Sequence, residues 1–413
     1  MNRIILIGNG FDLAHGLPTS YGNFIDWYWE QWKIHLENNN QTYTGNPLLK
    51  FYNRSGEDIS YFIDRKIKHL TGRDIGFALM ENDYSFSVEA CPLLEEICTS
   101  IETKGWVDIE NIYYNLLVKC SNYNDVEELQ FLNIQFGRLQ ELLCEYLASI
   151  SKENFEDNER IRNIIYSPIN PNDVSVAGKQ HIIDHANHWT ECKDMDFEYK
   201  MNLYKKALNL TGINNVNNIY YSREKNKQLS EADLYQTPVN YNAILLPDNI
   251  MALNFNYTKL ASNYIEEDGE CFKINNIHGE LDKPDSVIFG YGDDLDENYK
   301  KISNLNDNRY LTNFKSIKYL ESDRYRKALQ FMDAAPYQVF IMGHSCGNSD
   351  RTLLNKLFEH KNCVSVKPYF YQMLCSDNYL DIVQNISRNF TDMNLMRDRV
   401  VNKLYCDCFS EEH

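Results

Sequence analysis

The sequence predicts an α/β protein in which a doubly wound, mainly parallel β-sheet is interrupted by a large α-helical insertion. Near-continuous apolar runs, typical of strands that are covered on both faces, lie towards the two ends of the chain. Helical segments separate these runs, as they do in a doubly wound sheet. Residues 26–243 have instead the periodicity of successive amphipathic helices. We therefore expect a doubly wound α/β core of residues 1–25 and 244–413, with residues 26–243 as a mainly helical insertion.

Six strands are predicted from runs rich in aliphatic and β-branched residues. In chain order they are residues 3–8, 250–255, 271–278, 286–292, 338–343 and 366–373. Helices are expected at residues 259–267, within the charged stretch 305–333, and at residues 350–360. In the insertion, residues 108–117 and 131–150 place apolar side chains at helical spacing, and hardly a strand is expected between residues 24 and 235.

Charge and cysteine content exclude several classes of protein. The 413 residues include 41 basic and 59 acidic side chains, giving a net charge of −18. Such a charge repels phosphate backbones, so we expect no direct nucleic-acid binding. No apolar stretch is long enough to cross a bilayer, which predicts a cytoplasmic protein without membrane contact. The eleven cysteines are scattered and contain no Cys-x-x-Cys pair, so no structural zinc module and no other metal site is predicted.

A glycine-rich turn follows the first predicted strand. Gly8, Asn9 and Gly10 stand where a strand passes into a helix, and glycines there let the backbone approach a phosphate at the helix N-terminus. The alternative is a tight turn with a purely structural role. The third glycine of a dinucleotide fingerprint would fall at Leu13, which disfavours an ordinary dehydrogenase.

Two polar side chains end later strands. Asn256 follows the strand 250–255, where a side chain faces the crevice in which open α/β sheets bind ligands. It could instead cap the next helix. His278 ends the strand 271–278 and is followed by Gly279, so it could accept a proton from a hydroxyl group or from water. A lone histidine is more often structural, but its place at a strand end favours a functional role.

The last loop of interest has the Gly-x-Ser-x-Gly pattern of a nucleophile elbow, at residues 343–347. It predicts either a nucleotide-binding turn or a serine hydrolase with Ser345 as nucleophile. In the α/β-hydrolase order the histidine follows the serine, and only His360 and His413 do so here. Neither is suitably placed, because His360 is one short helix away and His413 is the final residue. The hydrolase is therefore the second interpretation.

Taken in order, these motifs resemble those of the sirtuin superfamily. They are Gly8 and Gly10 with Gly16-Leu17-Pro18, then Asn256, then His278-Gly279, and then Gly343-His344-Ser345. More narrowly, NGFDLAHGLPTSYGNF (9–24) and GWVDIENIYYNLL (105–117) resemble the AbiH family of bacterial abortive-infection proteins. The chain departs from the sirtuin pattern at Asn9, between the two glycines, and at Thr258, where sirtuins carry an acidic residue.

The resemblance implies a sirtuin-like Rossmann fold and an antiphage effector that hydrolyses NAD, its substrate, into nicotinamide and ADP-ribose. It implies that Asn256 positions water and the ribose, and that His278 acts as base. The implied NAD-binding residues are Gly8, Asn9, Gly10, Phe11, Asp12, Pro18, Gly343, His344 and Ser345. A toxic activity of this kind must be held off at rest, so we expect a homo-oligomer or a protein activator or defence-system partner. A non-catalytic nucleotide-sensing module is the third interpretation.

Overall fold

The fold is taken from a computed structural model. It describes residues 1–39, 42–56, 58–81, 86–123, 125–150, 158–208, 228–236, 242–372 and 376–411. Within these ranges, no helix combines the length and the apolar character that crossing a lipid bilayer requires.

In the described ranges, nine strands form two sheets. They are β1 (Asn2–Ile7), β2 (Tyr43–Gly45), β3 (Leu49–Asn53), β4 (Phe86–Ala90), β5 (Ile250–Asn254), β6 (Phe272–Asn276), β7 (Tyr337–Met342), β8 (Cys363–Gln372) and β9 (Cys408–Glu411). The larger sheet has the order β6-β5-β1-β7-β8-β9, and every neighbouring pair in it is parallel. The smaller sheet, β2-β3-β4, is antiparallel.

The larger sheet confirms the expected α/β core with a parallel sheet. Strands β1, β5 and β7 are buried along their whole length, as their apolar sequences predict. In register, Ile5 of β1 lies between Ala252 of β5 and Phe340 of β7. The chain builds the sheet outwards from β1 through β5 to β6, and then returns to the other side of β1 with β7. The strand order therefore reverses between β1 and β7.

Seventeen α-helices lie in the described ranges. They are α1 (Asn9–Leu13), α2 (Tyr21–Asn38), α3 (Ile59–Phe62), α4 (Arg73–Met80), α5 (Pro92–Lys104), α6 (Ile109–Tyr123), α7 (Val126–Ile150), α8 (Glu159–Ile165), α9 (Lys179–Glu191), α10 (Asp194–Ala207), α11 (Glu231–Gln236), α12 (Glu297–Ser303), α13 (Lys315–Lys318), α14 (Arg324–Ala334), α15 (Arg351–Glu359), α16 (Tyr379–Asn389) and α17 (Met393–Arg399). Short 3-10 turns occur between several of them.

The chain forms two compact units. The sheet unit contains Met1–Gly16, Asn154–Ile288 and Tyr319–His413, and the helical unit contains Leu17–Glu153 and Phe289–Lys318. The region expected as an insertion, residues 26–243, is thus divided: α2 to α7 belong to the helical unit, and α8 to α11 belong to the sheet unit.

The helical unit has its own core, in which ring stacking and a buried ion pair join segments distant in sequence. The Phe136 ring stacks on Tyr113 at 4.0 Å and on Phe289 at 4.6 Å between ring centroids. Lys315 pairs with Glu110 at 2.9 Å, and both side chains are buried. The expectation of hardly a strand between residues 24 and 235 is wrong, because β2, β3 and β4 lie in this unit. These strands are short, three to five residues each, which explains why the helical periodicity around them dominated the prediction.

Three further elements differ from the prediction. The expected strand 286–292 is absent: Pro284–Ser286 forms a 3-10 turn, and only an isolated bridge joins Tyr291 to Phe314. Gly290 interrupts the short apolar run, and its N–H donates to the Glu110 carboxylate instead of to a strand. The expected helix 259–267 is reduced to a 3-10 turn at Leu260–Asn263. The expected helix within 305–333 is broken into short pieces before Arg324–Ala334.

Candidate active site

Four of the predicted motifs lie at one edge of the large sheet. Gly8 follows β1 directly, Asn256 and His278 each come two residues after β5 and β6, and Gly343 follows β7. These four strands are neighbours and parallel, so their carboxyl ends share an edge. Because the strand order reverses between β1 and β7, this edge includes the position at which open α/β sheets bind ligands.

The two glycine loops pack directly against each other. The Gly10 N–H donates to the Gly343 carbonyl at 2.8 Å, and the Gly8 N–H donates to the Met342 carbonyl at 3.2 Å. A Cβ atom on Gly8 would lie 2.5 Å from the His344 Cα. A Cβ atom on Gly343, whose φ is +75°, would lie 2.1 Å from the Phe11 nitrogen. In this conformation the glycines therefore permit close contact between loops, and the Gly10 N–H is used inside the protein.

Asn256 is held by the glycine loop and by the helix that follows it. Its Nδ2 donates to the Gly8 carbonyl at 3.0 Å and to Asp12 Oδ1 at 2.9 Å. Thr258 donates its hydroxyl to the other carboxylate oxygen of Asp12 at 2.7 Å. Both amide hydrogens of Asn256 are thereby engaged, so its Oδ1 is the atom left to accept from a ligand.

Asp12 is a buried acid with an altered proton affinity. Its side chain is 1% exposed. Burial raises the pKa of Asp12 to about 6, and the hydrogen bonds from Thr258 and Asn256 partly offset this rise. Near neutral pH the carboxylate is ionised, and it then fixes the orientation of the Asn256 amide because an ionised carboxylate only accepts hydrogen bonds.

His278 faces a second buried acid. Its Nε2 lies 3.1 Å from Asp350 Oδ1 and 3.3 Å from the Tyr319 hydroxyl. His278 is 4% exposed and Asp350 is 8% exposed. Nε2 is thus the ring nitrogen of His278 that faces both the Asp350 carboxylate and the Tyr319 hydroxyl.

His344 faces the same acid from the opposite glycine loop. Its Nε2 lies 3.6 Å from Asp350 Oδ2, which is an ion-pair distance and too long for a hydrogen bond. Its Nδ1 accepts the Cys346 N–H at 3.0 Å, so the hydrogen of the neutral ring is on Nε2. The Phe255 ring contacts both imidazoles edge-on, at 5.1 Å from His278 and 4.2 Å from His344.

The proton on His344 Nε2 argues against a metal ion between the two histidines. A metal bound at Nε2 would require Nδ1 to carry the hydrogen, and the Cys346 N–H already points at Nδ1. Within the described ranges, no group of three or more metal-ligating side chains is arranged to hold an ion. Helix α9 carries three histidines, His181, His185 and His188, a spacing that could hold a metal ion. His185 is engaged in a protein contact instead, because its Nε2 bonds the Leu246 carbonyl at 2.9 Å.

Ser345 has the exposure of a surface residue and none of the partners of a nucleophile. Its carbonyl accepts from Asn385 at 2.8 Å. Within the described part of the chain, no histidine bonds its hydroxyl, and both nitrogens of the adjacent His344 face other groups. Among the non-glycine residues of the turn, Cys346 has a positive φ, +54°, whereas an elbow places its strain at the nucleophile. Burial raises the pKa of the Cys346 thiol far above its usual range, which excludes it as a reactive thiolate.

The remaining predicted residues lie near the glycine loop in sequence, with different surroundings. Asn9 is exposed. Phe11 is buried, and its ring packs against His15 at 4.8 Å and Tyr264 at 5.4 Å between centroids. Pro18 belongs to the helical unit, where its carbonyl accepts from the Tyr146 hydroxyl at 2.5 Å.

Sequence reasoning missed two polar groups at this edge. The position of Asp350 before α15 suits a helix cap, yet its side chain makes no capping hydrogen bond there and contacts His278 instead. Tyr371, at the end of β8, donates its hydroxyl to the Gly10 carbonyl. A strand-end position in the neighbouring strand was the available signal for Tyr371, since β8 follows β7 in the sheet.

A cavity of about 600 Å³ lies elsewhere in the sheet unit. None of the candidate residues lines it. Its walls include Lys367 and Asp173, which are both buried and pair with each other at 3.0 Å. Because the opposite charges of Lys367 and Asp173 pair with each other, this pair favours neither an anionic nor a cationic ligand.

A family model described as bacteriophage abortive infection AbiH matches residues 4–372 of the chain. The matched range includes every residue placed at the candidate site above, from Gly8 to Tyr371. No curated protein and no solved structure matches the chain.

Proposed function

The chain belongs to the AbiH family of bacteriophage abortive infection proteins, and from that premise we propose that it acts by hydrolysing NAD at the nicotinamide–ribose bond. The family supports a role in abortive infection. The chemistry is the proposal, and the pairing of Asn256 with His278 at the edge of the sheet carries it. Asn256 leaves its Oδ1 to accept from a ligand, His278 supplies an imidazole, and each side chain contacts a buried carboxylate.

The bond to be broken suits these groups. The C1′–N bond of NAD breaks with its electron pair passing to the positively charged pyridinium, so nicotinamide leaves as a neutral molecule without a strong acid. Water adds to C1′ and releases a proton. Asn256 Oδ1 accepts a hydrogen bond from that water or from a ribose hydroxyl, and His278 Nδ1 accepts the proton. The products are nicotinamide and ADP-ribose.

The closed packing of the site supports control of this activity. Asn256 is 9% exposed and His278 is 4% exposed, so NAD can reach them only if neighbouring groups move. The contact between Gly10 and Gly343 occupies backbone groups that could otherwise bind a phosphate. We therefore propose that a partner protein, or assembly of several copies of the chain, opens the glycine loops on infection.

The test is nicotinamide release from NAD by the purified protein. We expect Asn256→Ala and His278→Ala each to lower the rate by at least about 100-fold, the usual size of acid–base and positioning effects. Ser345→Ala should lower it less, because no base contacts the Ser345 hydroxyl.

Matched controls are available for both variants in the same unit. Asn275 on β6 is buried and bonds only structural groups, with its Nδ2 on the Arg324 carbonyl at 2.8 Å. His360 pairs with Asp333 at 3.2 Å, after α15. Asn275→Ala and His360→Ala should retain NAD cleavage. Cleavage that survives both Asn256→Ala and His278→Ala would remove the proposed mechanism, and a greater loss in Ser345→Ala than in His278→Ala would favour the serine hydrolase.

A further inference from the structure

We propose that Asp350 is the positioning residue of the candidate site: its buried carboxylate fixes the orientation of His278 and keeps the ring hydrogen on Nε2. The catalytic meaning of this inference rests on the proposed NAD hydrolysis. The geometry behind the inference does not depend on that reaction, because it concerns only which nitrogen of His278 carries the hydrogen in the resting protein.

The first observation is that Asp350 stands at the N-terminus of α15 without capping it. Aspartate is favoured at this position because its side chain can accept backbone N–H groups of the first turn. Here no capping hydrogen bond from that turn reaches the Asp350 side chain. The carboxylate lies instead 3.1 Å from His278 Nε2. A favourable local interaction has thus been replaced by one with a residue 72 positions earlier in the chain.

The second observation is the burial of both partners. Asp350 is 8% exposed and His278 is 4% exposed. A buried carboxylate is costly unless hydrogen-bond donors surround it. Two imidazoles face its two oxygens, and the hydrogen of His344 is already placed on Nε2 by the backbone of Cys346. Nε2 of His278 lies within hydrogen-bond distance of Asp350 Oδ1, at 3.1 Å, and is a donor that Asp350 can select.

This selection has a chemical consequence for His278. With the hydrogen on Nε2, the lone pair is on Nδ1, and Nδ1 is the base. When Nδ1 accepts a proton, the negative charge of Asp350 stabilises the cation that forms. Titratable groups that face this cluster include the Tyr319 hydroxyl, 3.3 Å from Nε2, and His344, 3.6 Å from the second oxygen of Asp350. The Tyr257 ring also lies beside His278, with the two ring centroids 6.4 Å apart.

The direct test is ¹⁵N NMR of the full chain labelled at histidine, with the His278 signals assigned from the spectrum of His278→Gln. We expect a protonated Nε2 and an unprotonated Nδ1 at pH 7.5. In Asp350→Asn the preference should weaken, with a larger share of the Nδ1–H tautomer. The control is Asp333→Asn, which removes the partner of His360 and should leave the His278 signals unchanged. A wild-type His278 with its hydrogen on Nδ1 would overturn the proposal, even without any variant.

A second measurement uses the reaction. We expect Asp350→Asn to lower kcat for NAD by roughly 100-fold with little change in KM, because the acid positions the base and does not bind the substrate. The acid limb of its pH–rate profile should move to lower pH, since the negative charge that favours protonation of His278 is gone. An unchanged kcat together with an unchanged profile would contradict the proposal. If wild-type protein does not cleave NAD, the proposed function fails, and the NMR result alone decides the role of Asp350.

Discussion

Asp12 is a residue whose charge state determines how firmly Asn256 is held. It accepts from Asn256 and from Thr258, and its burial raises its pKa to about 6. The free acid has a pKa near 4 in an unfolded chain. The folded state therefore binds a proton more tightly than the unfolded state does between these two values. Stability must then fall as pH rises from about 4 to about 6.

We predict that Asp12→Asn flattens this part of the stability profile. The raised pKa corresponds to about 3 kcal/mol that ionisation of Asp12 removes from the free energy of unfolding by pH 7. Asn at this position can still accept from Asn256 and face the Thr258 hydroxyl with its own amide. Urea denaturation of both proteins at pH 4.5 and pH 7 should show a smaller decrease in the variant.

The control for this prediction is Asp282→Asn. The Asp282 side chain is 64% exposed, and its variant should keep the wild-type decrease because Asp12 is unchanged in it. A decrease in stability that is equal in wild type and Asp12→Asn would show that Asp12 does not titrate as its burial implies.

Single residues were predictable from sequence where they end a strand. Asn256, His278 and Gly343 each follow a recognisable apolar run, and the structure places all of them at one edge of the sheet. Asp350 was not predictable as a partner of His278, because its local sequence favours a helix cap and the contact depends on the packing of distant loops. Whether these residues cleave NAD stays a prediction.

Among the elements, the contact between the two glycine loops depends on the absence of side chains. Gly343 combines a positive φ of +75° with a backbone neighbour 2.1 Å from the position of a Cβ atom. Gly16 has nearly the same φ, +77°, and no neighbour within 4 Å of that position. A comparison of alanine substitutions at the two glycines therefore separates the free-energy cost of a left-handed backbone from the cost of steric crowding.

We predict that Gly343→Ala destabilises the protein much more than Gly16→Ala. The Gly16 variant should lose about 1 kcal/mol for the left-handed conformation alone. The Gly343 variant should lose at least about 3 kcal/mol, because the Phe11 backbone must also move. Denaturation midpoints in urea provide the comparison. Equal losses would mean that the loops adjust freely and that their close contact is not a structural requirement.

Elements were predicted well where burial on both faces made the sequence uniformly apolar. This holds for β1, β5 and β7, which lie inside the sheet. The run 286–292 also has apolar residues, but it does not pair as a strand. The Gly290 N–H donates to the Glu110 carboxylate instead, and the Tyr291 N–H donates to the Asn313 carbonyl. The short strands of the small sheet carry too few residues to show their period against the surrounding helices.

For the whole molecule, the family assigns a role in abortive infection, and the proposed chemistry gives it a measurable form. We predict that infected cells carrying the protein lose NAD and release fewer phage. Cells carrying His278→Ala should keep their NAD and release phage as cells without the protein do. His360→Ala is the matched control and should behave as wild type. NAD and phage counts over one infection cycle provide the measurement.

The outcomes separate the role from the reaction. Reduced phage release with constant NAD would retain abortive infection and remove NAD hydrolysis.

At the scale of the whole molecule, the sequence predicted an α/β protein with a parallel sheet, and the structure has one. It could not predict which helices belong to which unit, because amphipathic helices of similar pattern occur in both: α7 lies in the helical unit, and α9 lies in the sheet unit.

The order of strands in the large sheet also bears on how the protein is made. Strand β1 leaves the ribosome before its two neighbours in the sheet, β5 and β7, which are translated some 250 and 335 residues later. Contacts over such separations form only after the intervening chain has been synthesised. Asn256, His278 and Asp350 therefore cannot meet until Asp350 has left the ribosome. A cell that makes this protein is not exposed to an assembled site while the residues before Asp350 are still being translated.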